Sequence, residues 1–297
     1  MLDLAIIILN YNSPELTVEC LDSLSEQVKS KPFHVVVVDN GSKDESIAML
    51  QAYVEEKDWC TLVESKKNLG FAGGNNIGIK NVLAKNYLLL NNDTIAKKNA
   101  IEILNDYANK NPNLGIISCH LEGPNGEIQT KKFRFHSPLG ELITQANIGF
   151  IYKIFKSSQV PIFDHESDPA QWVCFAAVLI RSNVFDKIGL LDESYFVYYE
   201  YVDFCLKARQ AQIEIGVCED AKIVHKISAS TKTFLGPDDK IKRRPAYFYK
   251  ARNLFYRKHY TAGYLLANIG WTVGRTISLL PQPLRNNKAR ERVEKDF

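Results

Sequence analysis

Carboxylates, amides and glycines gather at a few points along this 297-residue chain, and each gathering suggests a chemistry. Asn91-Asn92-Asp93-Thr94 follows the apolar run Tyr87–Leu90. One carboxylate there, joined by the oxygens of a diphosphate, suits Mg2+ or Mn2+, although the same aspartate can cap a helix. Asp39 ends a run of four valines and opens Asp39-Asn40-Gly41-Ser42. A carboxylate in that place can bond a nucleobase or ribose while Gly41 lets the backbone turn close to a ligand, or the four residues can be a capped strand-to-helix turn. Asn68 to Asn76 holds Gly70, Gly73 and Gly74 just ahead of an expected helix, whose N-terminus can face an anion. The spacing is not that of the dinucleotide fingerprint, and such glycines also arise for steric reasons. Asp192, Glu193, Glu200 and Asp203 lie among five aromatic residues. A helix starting near Tyr199 puts Glu200 and Asp203 on one face, either to activate a sugar hydroxyl or to match the helix dipole. His225 follows Ile223-Val224 at an expected strand end.

The elements that position these residues follow from the apolar pattern. Leu4–Leu9, Val35–Val38, Thr61–Val63 and Tyr87–Leu90 read as buried strands. Helices are expected from Pro14 (with Ser13 as cap), over 44–56 and over 75–83. Apolar strands alternating with helices predict a largely parallel sheet covered on both faces, with ligands at the carboxyl ends of the strands. Three polar clusters, Asn10-Tyr11-Asn12, Asp39–Ser42 and Asn91–Asp93, fall at those ends. Further on, the pattern gives a helix over 100–109, a strand at 115–118, a turn at Gly123–Gly126, one strand from Trp172 to Ile180, and short strands at 213–217 and 223–224.

A net charge of +3 is too small to imply nucleic acid, and no nucleic-acid motif accompanies the basic stretch Lys240 to Lys258. That stretch interleaves lysines and arginines with aromatic residues, a composition suited to the surface of an anionic membrane or to a solvated helix packed on the core. Six scattered cysteines without a C-x-x-C pair read as reduced core residues. No signal-peptide core and no membrane-length apolar run is visible, so a cytoplasmic protein is expected, working at the inner face of the membrane if it touches one.

The segments taken together resemble family 2 glycosyltransferases, especially the bacterial rhamnosyltransferase-like branch. The matching pieces are I-I-I-L-N-Y-N (6–12), V-V-D-N-G-S (37–42), N-L-G-F-A-G-G-N-N (68–76), L-L-L-N-N-D-T (88–94), L-D-E-S-Y-F-V-Y-Y-E-Y-V-D-F-C-L-K-A-R (191–209), I-V-H (223–225) and A-R-N (251–253). The resemblance implies a GT-A fold: a Rossmann-like mixed, mostly parallel sheet flanked by helices, with a C-terminal helical extension. It implies inverting transfer from a nucleoside-diphosphate sugar to a glycan or lipid-linked acceptor, as in bacterial surface polysaccharide synthesis. By position, Tyr11, Asp39 and Asn68 would contact the nucleoside, and Gly73 and Asn76 would lie beside the donor. Asp93 would hold Mg2+ or Mn2+ on the diphosphate with His225, and Arg252 would point toward phosphates. Glu200 is the first choice of general base and Asp203 the second. Residues 1–94 would form a nucleotide-binding half, 95–230 an acceptor half and 231–297 a basic, aromatic helical segment. Three positions depart from the branch. Tyr201 replaces an aspartate, and a phenol with a pKa of about 10 is a poor base. Phe175 replaces a glycine and is expected to crowd the acceptor pocket. Asn92 replaces a proline, a change expected to be without consequence. The alternative reading is a catalytically silent sugar-nucleotide-binding or scaffolding protein.

Overall fold

The computed structural model describes residues 1–28, 33–146, 160–162, 168–226, 245–260 and 263–277. Its N-terminal third is β1 (Leu2–Asn10), α1 (Pro14–Ser25), β2 (His34–Asp39), α2 (Ser46–Val54), β3 (Cys60–Glu64), α3 (Gly70–Lys80) and β4 (Ala84–Asn91). Next come β5 (Thr94–Ala96), α4 (Ala100–Lys110), β6 (Leu114–Glu122), β7 (Lys132–Phe133), α5 (Pro138–Ala146), β8 (Pro161–Ile162), β9 (Trp172–Val173) and β10 (Ala177–Arg181). The described chain ends with α6 (Ser182–Ile188), α7 (Glu200–Gln210), β11 (Glu214–His225), α8 (Ala246–His259) and α9 (Gly263–Ile277). The basic residues Lys240, Lys242, Arg243 and Arg244 lie outside the described residues.

Eight strands form one mixed sheet in the order β3-β2-β1-β4-β10-β6-β11-β5. β1 to β4 are mutually parallel, whereas β10 runs antiparallel to both β4 and β6. Successive side chains of each strand enter different cores, as the pleat requires. Ile6, Ile8, Val35 and Val37 pack on one face, and Ala5, Ile7, Val36 and Val38 on the other. A sheet buried on both faces explains why the sequence shows unbroken apolar runs instead of alternation.

Three boundaries differ from the sequence reading, the simplest being that the short strands expected at 213–217 and 223–224 are one strand, β11. The run Trp172–Ile180 is two strands: β9 belongs to a small sheet with β7 and β8, β10 belongs to the main sheet, and Cys174-Phe175-Ala176 turns between them. Continuous hydrophobicity conceals such a break, since periodicity vanishes when both faces are buried. The third helix begins at Gly70 rather than Asn75, so Gly73 and Gly74 lie inside it. Gly74 and Gly78 let α3 lie directly on the sheet, because a Cβ on Gly74 would stand 2.2 Å from Leu9 Cδ1 and one on Gly78 2.4 Å from Ile7 Cγ2.

Gly70 has a different reason. Its φ is +72°, and a Cβ there would stand 1.8 Å from the carbonyl oxygen of Phe196. Gly126, at φ +81°, has no atom within 4 Å of that position. Gly126→Ala is therefore expected to cost only the ~1–2 kcal/mol of a left-handed alanine, and Gly70→Ala clearly more. Urea unfolding of the two variants measures the difference, and equal costs would remove the close approach as the cause.

Candidate active site

Strand register brings the three polar clusters together. Asn10 of β1 is paired with Asp39 of β2, and Leu9 with Asn91 of β4. Asp39 is fully buried, and such a charge is tolerable only when hydrogen-bonded. Its Oδ1 accepts from Asn10 Nδ2 at 2.8 Å and Ser42 Oγ at 2.6 Å, and its Oδ2 accepts from the Ser42 amide at 2.9 Å. Both oxygens are thus engaged inside the protein, so Asp39 shapes the turn after β2 instead of presenting its carboxylate. Asn40 plays the same part toward the next loop. Its amide donates to Asn68 Oδ1 (3.0 Å) and to the Gly70 carbonyl (3.1 Å), while its oxygen accepts from the Leu69 amide (3.0 Å). Tyr11 stands at the same strand end with 43% of its surface exposed.

Asn92 proves to be engaged. Its amide donates to Ser13 Oγ at 3.1 Å and Thr17 Oγ1 at 3.0 Å, which a proline could not do. Thr17 in turn donates to Asn10 Oδ1 at 2.8 Å. The expected cap is absent at Ser13, whose hydroxyl donates to the Tyr11 carbonyl instead. A line of polar contacts therefore runs from Asp39 through Asn10 and Thr17 to Asn92, the residue beside Asp93.

Asp93 and His225 meet because β5 and β11 run antiparallel, with Thr94 opposite His225. His225 Nε2 lies 3.4 Å from Asp93 Oδ1. The other ring nitrogen, Nδ1, is 3.0 Å from Gln129 Oε1, and the Gln129 amide donates to the His225 carbonyl at 2.8 Å. Two ligands at about 2.1 Å and roughly right angles on one cation stand about 3 Å apart, so this pair fits a divalent ion whose remaining ligands are phosphate or water oxygens. No group of three or more His, Cys, Asp or Glu side chains suited to a metal occurs among the described residues.

Glu200 is the first residue of α7 and is 1% exposed. Its Oε2 is buried without a hydrogen-bond partner, and burial pushes its pKa up to about 8. Two consecutive left-handed residues, Tyr198 (φ +74°) and Tyr199 (φ +66°), aim the chain into this helix. Bulky residues in that region cost ~1–2 kcal/mol each, and here aromatic packing offsets the strain. Tyr198 stacks on Tyr247, while Tyr199 packs on Phe248 and Phe255, all three on α8. The aromatic residues of the basic segment thus face inward here, with Phe255 and Tyr256 fully buried.

The second candidate base is differently placed. Asp203 is fully buried, and its Oδ1 faces His259 Nε2 at 2.7 Å while Lys207 Nζ stands 2.6 Å from Oδ2. Burial alone would raise its carboxyl, but the His259 and Lys207 contacts outweigh it and hold the group below the usual carboxylate range. Asp203 ties α7 to α8, and each of its oxygens already faces a side chain of the protein, His259 or Lys207. Arg252, expected on phosphates, is 2% exposed and committed elsewhere. It donates to Glu141 Oε1 (3.0 Å), Asn268 Oδ1 (2.9 Å) and the Ala267 carbonyl (3.0 Å), and so joins α5, α8 and α9. Asn76 binds the 191–193 segment through the Leu191 carbonyl and Glu193 Oε1. Gly73 sits within α3, where a Cβ would meet that of Leu69.

The two aromatic departures touch one another. Phe175 and Tyr201 have ring centroids 5.9 Å apart, and Tyr201 also packs on Trp172 at 5.4 Å. Phe175 is 3% exposed and lies against Phe204, so its ring fills core rather than an open pocket. The adjoining Ala176 carbonyl accepts from the Asn91 amide at 2.8 Å, which sets this aromatic group beside the end of β4.

Residues 5–177 match the model of the family described as Glycosyl transferase family 2. The chain is 31% identical over 232 residues to the low-salt glycan biosynthesis hexosyltransferase Agl10 of Haloferax volcanii, covering 75% of this chain and 67% of that protein. It is 25% identical over 255 residues to the dTDP-rhamnosyl transferase RfbF of Shigella flexneri, covering 84% and 77%. Among solved structures it resembles the mannosyltransferase PcManGT from Pyrobaculum calidifontis, in complex with GDP-Man and Mn2+, with a TM-score of 0.54 and 14% identity over 99% of this chain and 80% of that one. That likeness is one of fold, and the mixed sheet described above is the GT-A fold expected from the motifs.

The state of Glu200 has a consequence for stability. Below its ordinary pKa of 4.5 the carboxyl is neutral in both folded and unfolded chains. Between there and about 8 the unfolded chain ionises first, so the wild type loses stability as pH rises, and the loss levels off above about 8. Glu200→Gln is expected to gain on the wild type from about pH 5 to about pH 8 in urea unfolding. A gap between the two proteins that does not change with pH would mean a solvated carboxylate.

Proposed function

This chain belongs to glycosyl transferase family 2, and on that premise we propose that it transfers a hexosyl or deoxyhexosyl group from a nucleoside-diphosphate sugar, with inversion, to a glycan or lipid-linked saccharide. One observation carries the chemistry: the carboxylate at the head of α7 is buried and lacks a partner on Oε2, and burial pushes its pKa up to about 8. A general base works best when its pKa lies near the operating pH. Ionised Glu200 takes the proton of the acceptor hydroxyl as that oxygen bonds to the anomeric carbon. The bond from that carbon to the diphosphate breaks, and its electron pair leaves on the nucleotide.

The donor lies across the carboxyl ends of β1, β2 and β4. Tyr11 offers an exposed ring to the nucleoside, and the Asn40–Asn68 amides border it, with Asp39 holding the turn from behind. Asp93 and His225 are the residues that would hold Mg2+ or Mn2+, and a bound ion would supply positive charge for the leaving diphosphate. The Mn2+ and GDP-Man bound by the mannosyltransferase of like fold support this reading. Residues 1–94 serve the donor and 95–230 the acceptor. The names of the two relatives, a glycan-building hexosyltransferase and a dTDP-rhamnosyl transferase, favour a role in surface polysaccharide synthesis.

Contact with an anionic membrane fits the C-terminal helices. No helix among the described residues is long and apolar enough to cross a membrane. On α9, Leu265, Leu266, Ile269 and Val273 share one face and are exposed, and Lys250, Arg257 and Lys258 are exposed on α8. An apolar face with basic residues at hand is the pattern of a helix lying in the headgroup region.

Across a panel of UDP-, GDP- and dTDP-sugars, one donor is expected to be turned over, with activity lost in EDTA and in Asp93→Ala. Glu200→Gln should keep donor affinity while kcat falls at least ~10²-fold. Wild-type kcat/KM should rise with pH and level off above about 8, because the free enzyme's base must be ionised. Normal turnover by Glu200→Gln, or a profile flat through that range, moves the base elsewhere, and binding without turnover of any donor favours the silent scaffold. In sedimentation with liposomes, binding to phosphatidylglycerol vesicles should weaken in Leu265→Glu/Ile269→Glu, and equal binding by that variant excludes the α9 face.

A further inference from the structure

We propose that Gln129 is a positioning residue for the metal pair: it fixes the proton of neutral His225 on Nδ1 and so keeps the Nε2 lone pair turned toward Asp93. The inference rests on the reading of Asp93 and His225 as metal ligands. It begins with a turn. The Gly123 amide donates to the Glu127 carbonyl and the Gly126 amide to the Gly123 carbonyl, which folds the chain back after β6. The Gln129 amide then donates to the Leu121 carbonyl at 3.0 Å, placing its side chain beside the end of β6. β11 is the neighbour of β6 at that end, with Val224 opposite Glu122, so the Gln129 side chain meets His225.

The orientation of the Gln129 amide follows from its partners. Its nitrogen lies 2.8 Å from the His225 main-chain carbonyl, which can only accept, so that side of the amide is NH2. The oxygen therefore faces His225 Nδ1, at 3.0 Å. An amide oxygen has no proton to give, so Nδ1 carries the hydrogen and donates it. A neutral imidazole has one N–H, which leaves Nε2 with a lone pair. That nitrogen is 3.4 Å from Asp93 Oδ1, beyond the 2.7–3.2 Å range of ordinary N–H···O bonds, whereas the Gln129 contact lies within it. The distances favour Nδ1 as the protonated site, and the Nε2 lone pair then faces Asp93 Oδ1.

The effect on binding follows. A proton on Nε2 occupies the position that a metal needs, and an unrestrained neutral imidazole favours that tautomer. Gln129 removes the competition in advance and holds the ring plane by bonding both the ring and its own backbone carbonyl. Partners of this kind behind a ligating histidine are worth about 10–100-fold in metal affinity. Gln129 is 6% exposed and reaches no substrate, so its influence passes through the ring.

The test uses the whole chain labelled with 15N-histidine, with His225 assigned by His225→Gln. At a pH where its resonances no longer move, the metal-free wild type should show a protonated Nδ1 and an unprotonated Nε2, and the reverse pattern overturns the proposal. Gln129→Met is expected to shift the ring toward Nε2–H, whereas Gln129→Glu, which keeps an acceptor for Nδ1–H, should retain the wild-type pattern. Mn2+ is then titrated by its EPR signal in the presence of whichever of UDP, GDP or dTDP the wild type holds most tightly. Affinity should fall about 10–100-fold in Gln129→Met, with nucleotide affinity measured without metal unchanged. Unchanged Mn2+ affinity in a folded Gln129→Met overturns the role of Gln129 alone. Failure of the wild type to bind Mn2+, or binding that survives Asp93→Ala, overturns the metal reading itself.

Discussion

The carboxylate of Asp39 sits wholly out of water at the end of a strand, and satisfying it organises the ligand-facing rim of the sheet. A buried charge needs several good donors, and these come from two different segments: the β1 terminus through Asn10 and the following turn through Ser42. Asn10, once recruited, must place its own oxygen, which accepts from Thr17 on α1. Thr17 accepts from Asn92, the residue before Asp93. The turn at Asp39 and the strand end that carries Asp93 are therefore parts of one hydrogen-bonded assembly rather than neighbours by chance. Loss of one member leaves another polar atom buried and unpaired, which costs more than the bond itself gains.

Much of this was legible in the sequence, and for a definable reason. Parallel strands buried on both faces announce themselves as apolar runs, and the polar residues that end them must lie at the carboxyl end of the sheet, so Asn10, Asp39 and Asn91 belong together on the sequence alone. Antiparallel pairing of β5 with β11 carries no comparable mark, and the meeting of Asp93 with His225 across 132 positions could be expected only from resemblance. Gln129 carried no signal at all, since a glutamine after a turn resembles any surface glutamine until its partners are seen. Arg252 and Asp203 show the opposite failure. Both have side chains that suit chemistry, and both are consumed by pairing within the protein, because charge type reports what a residue can bind but not whether something already binds it.

The C-terminal segment illustrates how one stretch can serve two demands. Its aromatic residues brace a turn that would otherwise be unfavourable, the pair Tyr198–Tyr199 that leads into Glu200. Its charged residues divide, Arg252 going inward to neutralise the buried Glu141 and Lys250 and Arg257 remaining outside. Burial raises the Glu141 carboxyl, and the arginine beside it counters that shift. Helices α5, α8 and α9 are held to one another through this pair and to α7 through His259 and Asp203. The position of Glu200 thus depends on residues far along the chain from it.

One irregularity in β11 bears on how chain length can vary. The strand pairs Cys218 with Cys119 and then Lys222 with His120, so three residues, Glu219 to Ala221, bulge out where β6 advances by one step. Beyond the bulge every side chain's face is set by the number of residues in it, because strand side chains alternate. Gaining or losing a single residue there would turn His225 away from Asp93 and present Val224 or Lys226 in its place. Asp220 is exposed and substitutions there are tolerable, whereas Glu219 pairs with the buried Lys131 at 2.7 Å and is not free to change. Insertions and deletions in the bulge are not tolerable, and its length is as constrained as the identity of the histidine that follows it.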